Sequence, residues 1–223
     1  MKLFLINIFL TIIFLSHSSA GAKNFNTEYV VSSSGIKIGK FSWSLEINNK
    51  KYKTEIFLKN AGIFSPLYNF EGKYISQGVI ENDEYKTQEY KQYWRTKKKI
   101  KIVEMSFDGY LKKLYQKPEE KELPRLNLDG IFQHSDPITS FLNILNGGDQ
   151  VKTIDGRRIY TMKKVGIDNE ENITIEINNY KNIWADHKRN DLKKIEFVLE
   201  SSGFLPKNIN IYFKNRVFKL KQN

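Results

Sequence analysis

The chain has no cysteine. That excludes disulfides, thiolate metal centres, thiol redox chemistry and a lipid attached through a lipobox cysteine. Histidine is almost as scarce: His17 lies in the apolar N-terminus, which leaves only His134 and His187. The sequence holds no His-Glu-x-x-His pair, no Gly-x-Ser-x-Gly elbow and no calcium loop, so no metalloprotease, α/β-hydrolase or EF-hand motif is present. Arginine is also short, at six of the 36 basic residues. Arg is the side chain that grips phosphates and bases bidentately. A formal charge of +11 carried mostly by scattered Lys therefore reads as solvated surface and not as a nucleic-acid footprint. Lys97-Lys98-Lys99 is the one dense run. The basic charge as a whole is consistent with a weak attraction to anionic envelope surfaces. After Leu15 no run is apolar enough to span a bilayer.

What the sequence does have begins with an export signal. Lys2 supplies a positive start, Leu3 to Leu15 an apolar stretch, and Ser18-Ser19-Ala20 or Ala20-Gly21-Ala22 a small-x-small cleavage site. The apolar stretch is shorter than the ~20 residues of a comfortable membrane helix. The expectation is a signal peptide over residues 1–20, cleaved after Ala20 or Ala22, and a single antiparallel β domain over residues 21–223. Removing 20 of 223 residues leaves 203, enough for a core that needs no disulfide staples. Export without cysteines points to the periplasm of a Gram-negative bacterium.

The rest of the chain reads as strand after strand. Phe41, Trp43, Leu45 and Ile47 alternate with polar residues, and Tyr52, Thr54, Ile56 and Leu58 continue the pattern. Ile173/Ile175/Ile177, Ile195/Phe197/Leu199 and Ile209/Ile211/Phe213 repeat it. Gly35, Asn48-Asn49, Asp108-Gly109, Asp155-Gly156, Asn178-Asn179 and Ser202-Gly203 read as turns. Short connections and half-wet alternation imply antiparallel pairing. One helix interrupts the series: Asp136 caps it, Pro137 opens it, Gly147 closes it, and Ile138, Phe141, Leu142 and Leu145 form its apolar stripe. Residues 117–135 show no period and read as a surface loop. The fold class is mainly β: one strongly curved antiparallel sheet or open barrel with one short helix packed on it.

Several stretches resemble a known family. Gly35-Ile36-Lys37-Ile38-Gly39, Tyr52, Ala61 to Tyr68, Gly78, the Asp136-Pro137-Ile138-Thr139-Ser140 helix start and Asp191 to Ile211 are similar to the exported bacterial proteins of domain-of-unknown-function family 3108. Between Ile80 and Tyr85 the sequence lacks the Pro that the resemblance leads one to expect. The resemblance implies a periplasmic antiparallel β protein, and it brings no catalytic residues. A looser likeness, at the level of fold alone, is to carriers and receptors of the lipoprotein-sorting type.

Two stretches are candidate binding sites. Ile63, Phe64, Leu67 and Tyr68 form an apolar connection with the composition of a cavity lip or of a buried closure. Trp184 and His187 place an aromatic beside polar groups, as at a ligand pocket or at a strand end. The leading functional expectation is a non-enzymatic binding or envelope-maintenance protein with an apolar cleft for a lipid-like, peptide or polymer ligand. No cofactor and no metal are expected; the partners are a lipid or an envelope polymer, and not nucleic acid. The alternative is an envelope hydrolase using His187 or His134 with nearby carboxylates such as Asp136 or Asp186. Ser135-Asp136 reads equally as helix capping.

Overall fold

The computed structural model describes residues 22–62, 69–167, 172–184, 190–199 and 203–223. Among these, thirteen strands join in one sheet: β1 (Lys23–Ser33), β2 (Ile36–Asn48), β3 (Lys51–Asn60), β4 (Phe70–Glu81), β5 (Glu84–Thr96), β6 (Ile100–Phe107), β7 (Leu111–Lys117), β8 (Gln150–Ile154), β9 (Arg158–Ile167), β10 (Asn172–Asn182), β11 (Leu192–Val198), β12 (Asn208–Phe213) and β13 (Arg216–Gln222). Each strand pairs antiparallel with its sequence neighbour from β1 to β7 and from β8 to β13, and the two runs meet where β1 pairs with β13. Every connection except β7 to β8 is therefore a hairpin, as short linkers and period-two patterning dictate.

The alternation works as the sequence implies. Trp43, Leu45, Tyr52 and Thr54 are buried, as are Ile173, Ile175 and Ile177 on β10 and Ile195 and Phe197 on β11. They belong to a single contiguous core. Asn178-Asn179 is a correction, because it lies inside β10. Asn179 adopts a left-handed backbone (φ 57°), and the register against β9 shifts between Asn178 and Lys181. The two residues make a bulge that bends the strand, which an Asn pair supports as readily as a turn. The stretch lacking the expected Pro forms a tight hairpin. Ile80 pairs with Tyr85, and Asn82 and Asp83 both have positive φ, the geometry that two-residue loops need.

The one α-helix among the described residues, α1 (Pro137–Leu145), sits inside the curve of the sheet. Ile138, Thr139, Ser140, Phe141, Leu142 and Ile144 are all buried, so the helix is enclosed and not merely laid on one face. Its Phe141 ring lies 5.7 Å from Trp43 of β2 and 5.1 Å from Phe197 of β11. Asn143 bonds both backbone groups of Tyr85, accepting from its N–H at 2.7 Å and donating to its carbonyl at 2.9 Å. An amide side chain thus takes the place of a strand partner at the edge of β5.

The edges β7 and β8 do not pair as strands, and residues 117–135 are more than the expected surface loop. After a 3₁₀ turn at Leu128–Gly130, the buried Ile131 accepts from Leu111 N–H of β7, and Ser135 exchanges backbone bonds with Lys152 and Ile154 of β8. Nearer the other end, Gln116 Nε2 donates to the Gly156 carbonyl at 2.6 Å, as does Trp184 Nε1 at 3.3 Å. Gly156 has φ +82°, and a Cβ there would lie 2.4 Å from Val103 Cγ1, so only glycine fits the seam. The curved sheet is drawn into a barrel-like form by loop and side-chain contacts, and Leu111 N–H, both backbone groups of Ser135 and the Gly156 carbonyl find partners without a strand ladder.

Candidate functional site

Two places hold the groups that could act, and the first is the N-terminus of α1. The backbone before Pro137 is extended, which puts the Asp136 side chain back over the first helical turn. Asp136 Oδ1 accepts from Ile138 and Thr139 N–H at 2.9 and 3.2 Å. Its Oδ2 accepts from Ser76 (2.7 Å), Thr87 (2.7 Å) and Thr139 (2.5 Å) hydroxyls. Tyr52 Oη joins this cage at 2.6 Å from Thr139 Oγ1. The carboxyl is fully buried and all five of its partners are neutral. Burial pushes its pKa up, and the hydroxyl bonds pull only part of the way back.

This arrangement ties α1 to strands β3, β4 and β5. It does not deliver Asp136 to a histidine. His134 Nδ1 lies 2.9 Å from the Phe132 carbonyl, a geometry in which the ring nitrogen donates. Partial burial lowers its pKa. Asp136 is the helix cap, and the triplet His134-Ser135-Asp136 points in separate directions. Among the described residues no group of three His, Cys, Asp or Glu side chains could hold a metal ion.

The second place follows from strand direction. In an up-and-down sheet, alternate connections fall at opposite ends. The end of β3, the start of β4, the end of β10 and the start of β11 all lie at the same end of the sheet. The connections 61–69 and 183–191, which carry both sequence candidates, thus leave and re-enter the sheet together. Of the candidates, Trp184 is half-buried against the core and bonded to the seam. Ile63, Phe64, Leu67, Tyr68 and His187 lie outside the described residues, as does Asp186. The opposite end holds α1: its cap residue Asn146 donates to the Asp83 carbonyl of the β4–β5 turn at 2.6 Å. The end without the helix also carries an open groove of about 850 Å³, lined by basic residues around the β5–β6 turn, with Lys117, Glu120 and Arg157 across from it. Lys117 and Arg157 are far from Lys97 in sequence. The triple-lysine run was the one visible signal for this groove, and the reading of it as plain solvated surface took no account of what the fold sets opposite.

The sequence model of the family described as protein of unknown function DUF3108 matches residues 28–185. The chain belongs to this family. The DUF3108 match runs from β1 through the end of β10 and so includes α1 and its cage, while the stretch Asp191 to Ile211 lies beyond it. A solved structure, the crystal structure of a beta-barrel-like protein of domain of unknown function DUF1849 from Brucella abortus, is 14% identical with a TM-score of 0.49, over 89% of this chain and 95% of that one. No curated protein matches the sequence. Within the DUF3108 match, Tyr52, Asp136 and Thr139 all lie in the hydroxyl cage. Gly78 sits at a register shift where a Cβ would lie 1.9 Å from the Lys86 carbonyl oxygen. The residues that carry the family resemblance are thus, where described, parts of the architecture.

Proposed function

We propose that this protein is a non-enzymatic binding or envelope-maintenance protein of the bacterial periplasm. In this reading it holds a lipid-like, peptide or polymer ligand in an apolar cleft at the helix-free end of the barrel. One observation carries the reading: α1 occupies the end formed by the β4–β5 turn, and the connections bearing Ile63, Phe64, Leu67 and Tyr68 and bearing Trp184 and His187 both belong to the other end. Apolar connections over a stiff sheet are where binding residues collect. The polar groups of the interior favour a scaffold role, since Asp136 and its hydroxyls are consumed by each other and leave no acid or base facing a substrate.

The test is extraction of the protein, purified from a bacterial periplasm, into organic solvent and separately into acid, with mass spectrometry of what is released. A stoichiometric ligand is expected from wild type. Its amount is expected to fall in Phe64→Ser/Leu67→Ser and to stay in Val165→Ser, a change at an exposed position toward the other end of the sheet. Release of nothing from wild type, or equal release from the double variant, overturns the reading.

A further inference from the structure

We propose that the basic groove at the helix-free end is a docking surface for an anionic lipid bilayer. The inference goes beyond the ligand reading above and does not depend on it.

The groove is built around one turn. Thr96 N–H donates to the Lys99 carbonyl at 2.8 Å, and Thr96 Oγ1 accepts from Lys98 and Lys99 N–H at 3.3 and 3.1 Å. Threonine closes the turn on itself, and the three lysines it carries are all exposed. The strands leading in and out add Arg95 and Lys101, and the far wall adds Lys117 and Arg157. Lys117 is paired in the sheet with Ile102, one residue from Lys101, so the two walls are held by backbone and not by chance side-chain positions. Seven basic and two acidic residues line the groove, a net charge of +5.

The kind of charge selects the partner. Both arginines are engaged by the protein's own carboxylates, Arg95 with Glu71 at 2.5 Å and Arg157 with Glu120 at 3.5 Å. The guanidinium groups that would read a fixed phosphate or a base each have a carboxylate beside them. Five of the seven basic residues are lysine, a point charge on a flexible stem, which suits a diffuse and laterally mobile negative surface. Ile100 follows the lysines directly and is 46% exposed, an apolar side chain placed where it meets the headgroup layer. The opposite end is mixed: Asp83, Asp108 and Asp149 stand there with Lys50, Lys51, Lys207 and Lys221, and Asp108 and Asp149 pair with Lys112 and Lys164. An anionic bilayer therefore meets a denser lysine cluster at the groove end, and the molecule docks with the helix-plugged end facing away.

The experiment is cosedimentation of the protein, purified from a bacterial periplasm, with vesicles of phosphatidylglycerol and phosphatidylcholine mixed in varied proportion. Each basic residue near such a surface is worth about fivefold in partitioning, so replacing three costs about a hundredfold at low salt. Binding to phosphatidylglycerol vesicles, none to pure phosphatidylcholine, and a loss of about a hundredfold in Lys97→Gln/Lys98→Gln/Lys99→Gln are expected. A control with the same change in net charge at the other end, Lys50→Gln/Lys51→Gln/Lys221→Gln, is expected to bind within about threefold of wild type, because screening confines the attraction to a Debye length of about 10 Å. All six positions are exposed, so folding is checked simply by an unchanged urea midpoint. The proposal fails if the groove variant binds like wild type, if the control loses as much, or if pure phosphatidylcholine binds equally. It fails too if soluble polyphosphate strips the protein from vesicles at a lower phosphate concentration than the lipid presents, since the occupant is then a polyanion in solution.

Discussion

Asp136 offers the sharpest test of how this fold is held. Replacement by Ala removes the helix cap, worth about 1 kcal/mol. It also strips the Ser76, Thr87 and Thr139 hydroxyls of a charged acceptor, and hydrogen bonds to charged groups contribute about 1.5–3 kcal/mol each. Part of this is recovered, because Ser76 and Thr139 lie 2.8 Å apart and Tyr52 already bonds Thr139. A loss of about 3–5 kcal/mol results, a large share of the roughly 5–15 kcal/mol that holds a domain together. Asp136→Asn keeps the capping oxygen and the volume, and it resembles the protonated acid. Its pH dependence is the informative part. Burial raises the folded-state pKa above the unfolded value. The folded chain therefore holds this proton where the unfolded chain has released it, and the stability it contributes is complete below the unfolded pKa and lost as pH rises through the folded one. The Asn variant lacks that loss. Urea unfolding of both proteins from pH 3.5 to 8 is expected to show wild type ahead by its widest margin at the acid end, with the gap narrowing as pH rises and the m-value unchanged. A gap that widens with pH refutes the reasoning, because the hydroxyl cage would then be holding the carboxylate in its charged form more strongly than burial opposes it.

Two further substitutions probe the seam and the helix. Gly156→Ala is expected to cost about 2–4 kcal/mol, from a left-handed backbone and an overpacked contact with Val103, read as a lowered urea midpoint with faster amide exchange along β7 and β8. Exchange that stays slow in those strands would show that residues 131–135 close the barrel unaided. Asn143→Leu keeps the volume but leaves Tyr85 N–H and C=O without their partner, at about 1–3 kcal/mol, whereas Asn143→Asp retains the acceptor and regains the donor only when its carboxyl is protonated, so its loss is the smaller at acid pH; equal losses there would show that the packing of residue 143 matters more than its hydrogen bonds.

The strands were legible because each needs only its own alternation. Trp43 and Leu45, or Ile173, Ile175 and Ile177, declare a buried face without reference to any partner. The helix was legible for the same reason, since Asp136 and Pro137 act within one turn. What escaped depends on residues distant in sequence. Ser76, Thr87 and Tyr52 are unremarkable in their own strands, and they become a cage only when β3, β4 and β5 bring them to Asp136. The seam is similar: Gln116, Gly156 and Trp184 share one carbonyl across three connections, and no local pattern announces it. Asn178-Asn179 was misread because a bulge and a turn ask for the same left-handed residue. The groove was half visible, as a lysine run without its far wall.

The family resemblance and the fold bear on function from opposite sides. Tyr52, Asp136 and Thr139 carry the likeness to DUF3108, and each is buried and hydrogen-bonded to another member of the same cage. Asp136 is enclosed by five neutral donors and caps the helix, so its proton is tied to the stability of the fold. In this chain these residues are parts of the architecture and are silent about ligand. The two proposals place function where the plug does not reach: on the groove lysines and, in the ligand reading, on the connections 61–69 and 183–191, which leave the sheet at the same end. On that view the vesicle experiment and the extraction experiment address the same end of the molecule through different residues. A Lys97/Lys98/Lys99 variant that loses the bilayer and keeps its extracted ligand would separate where the protein docks from what it holds.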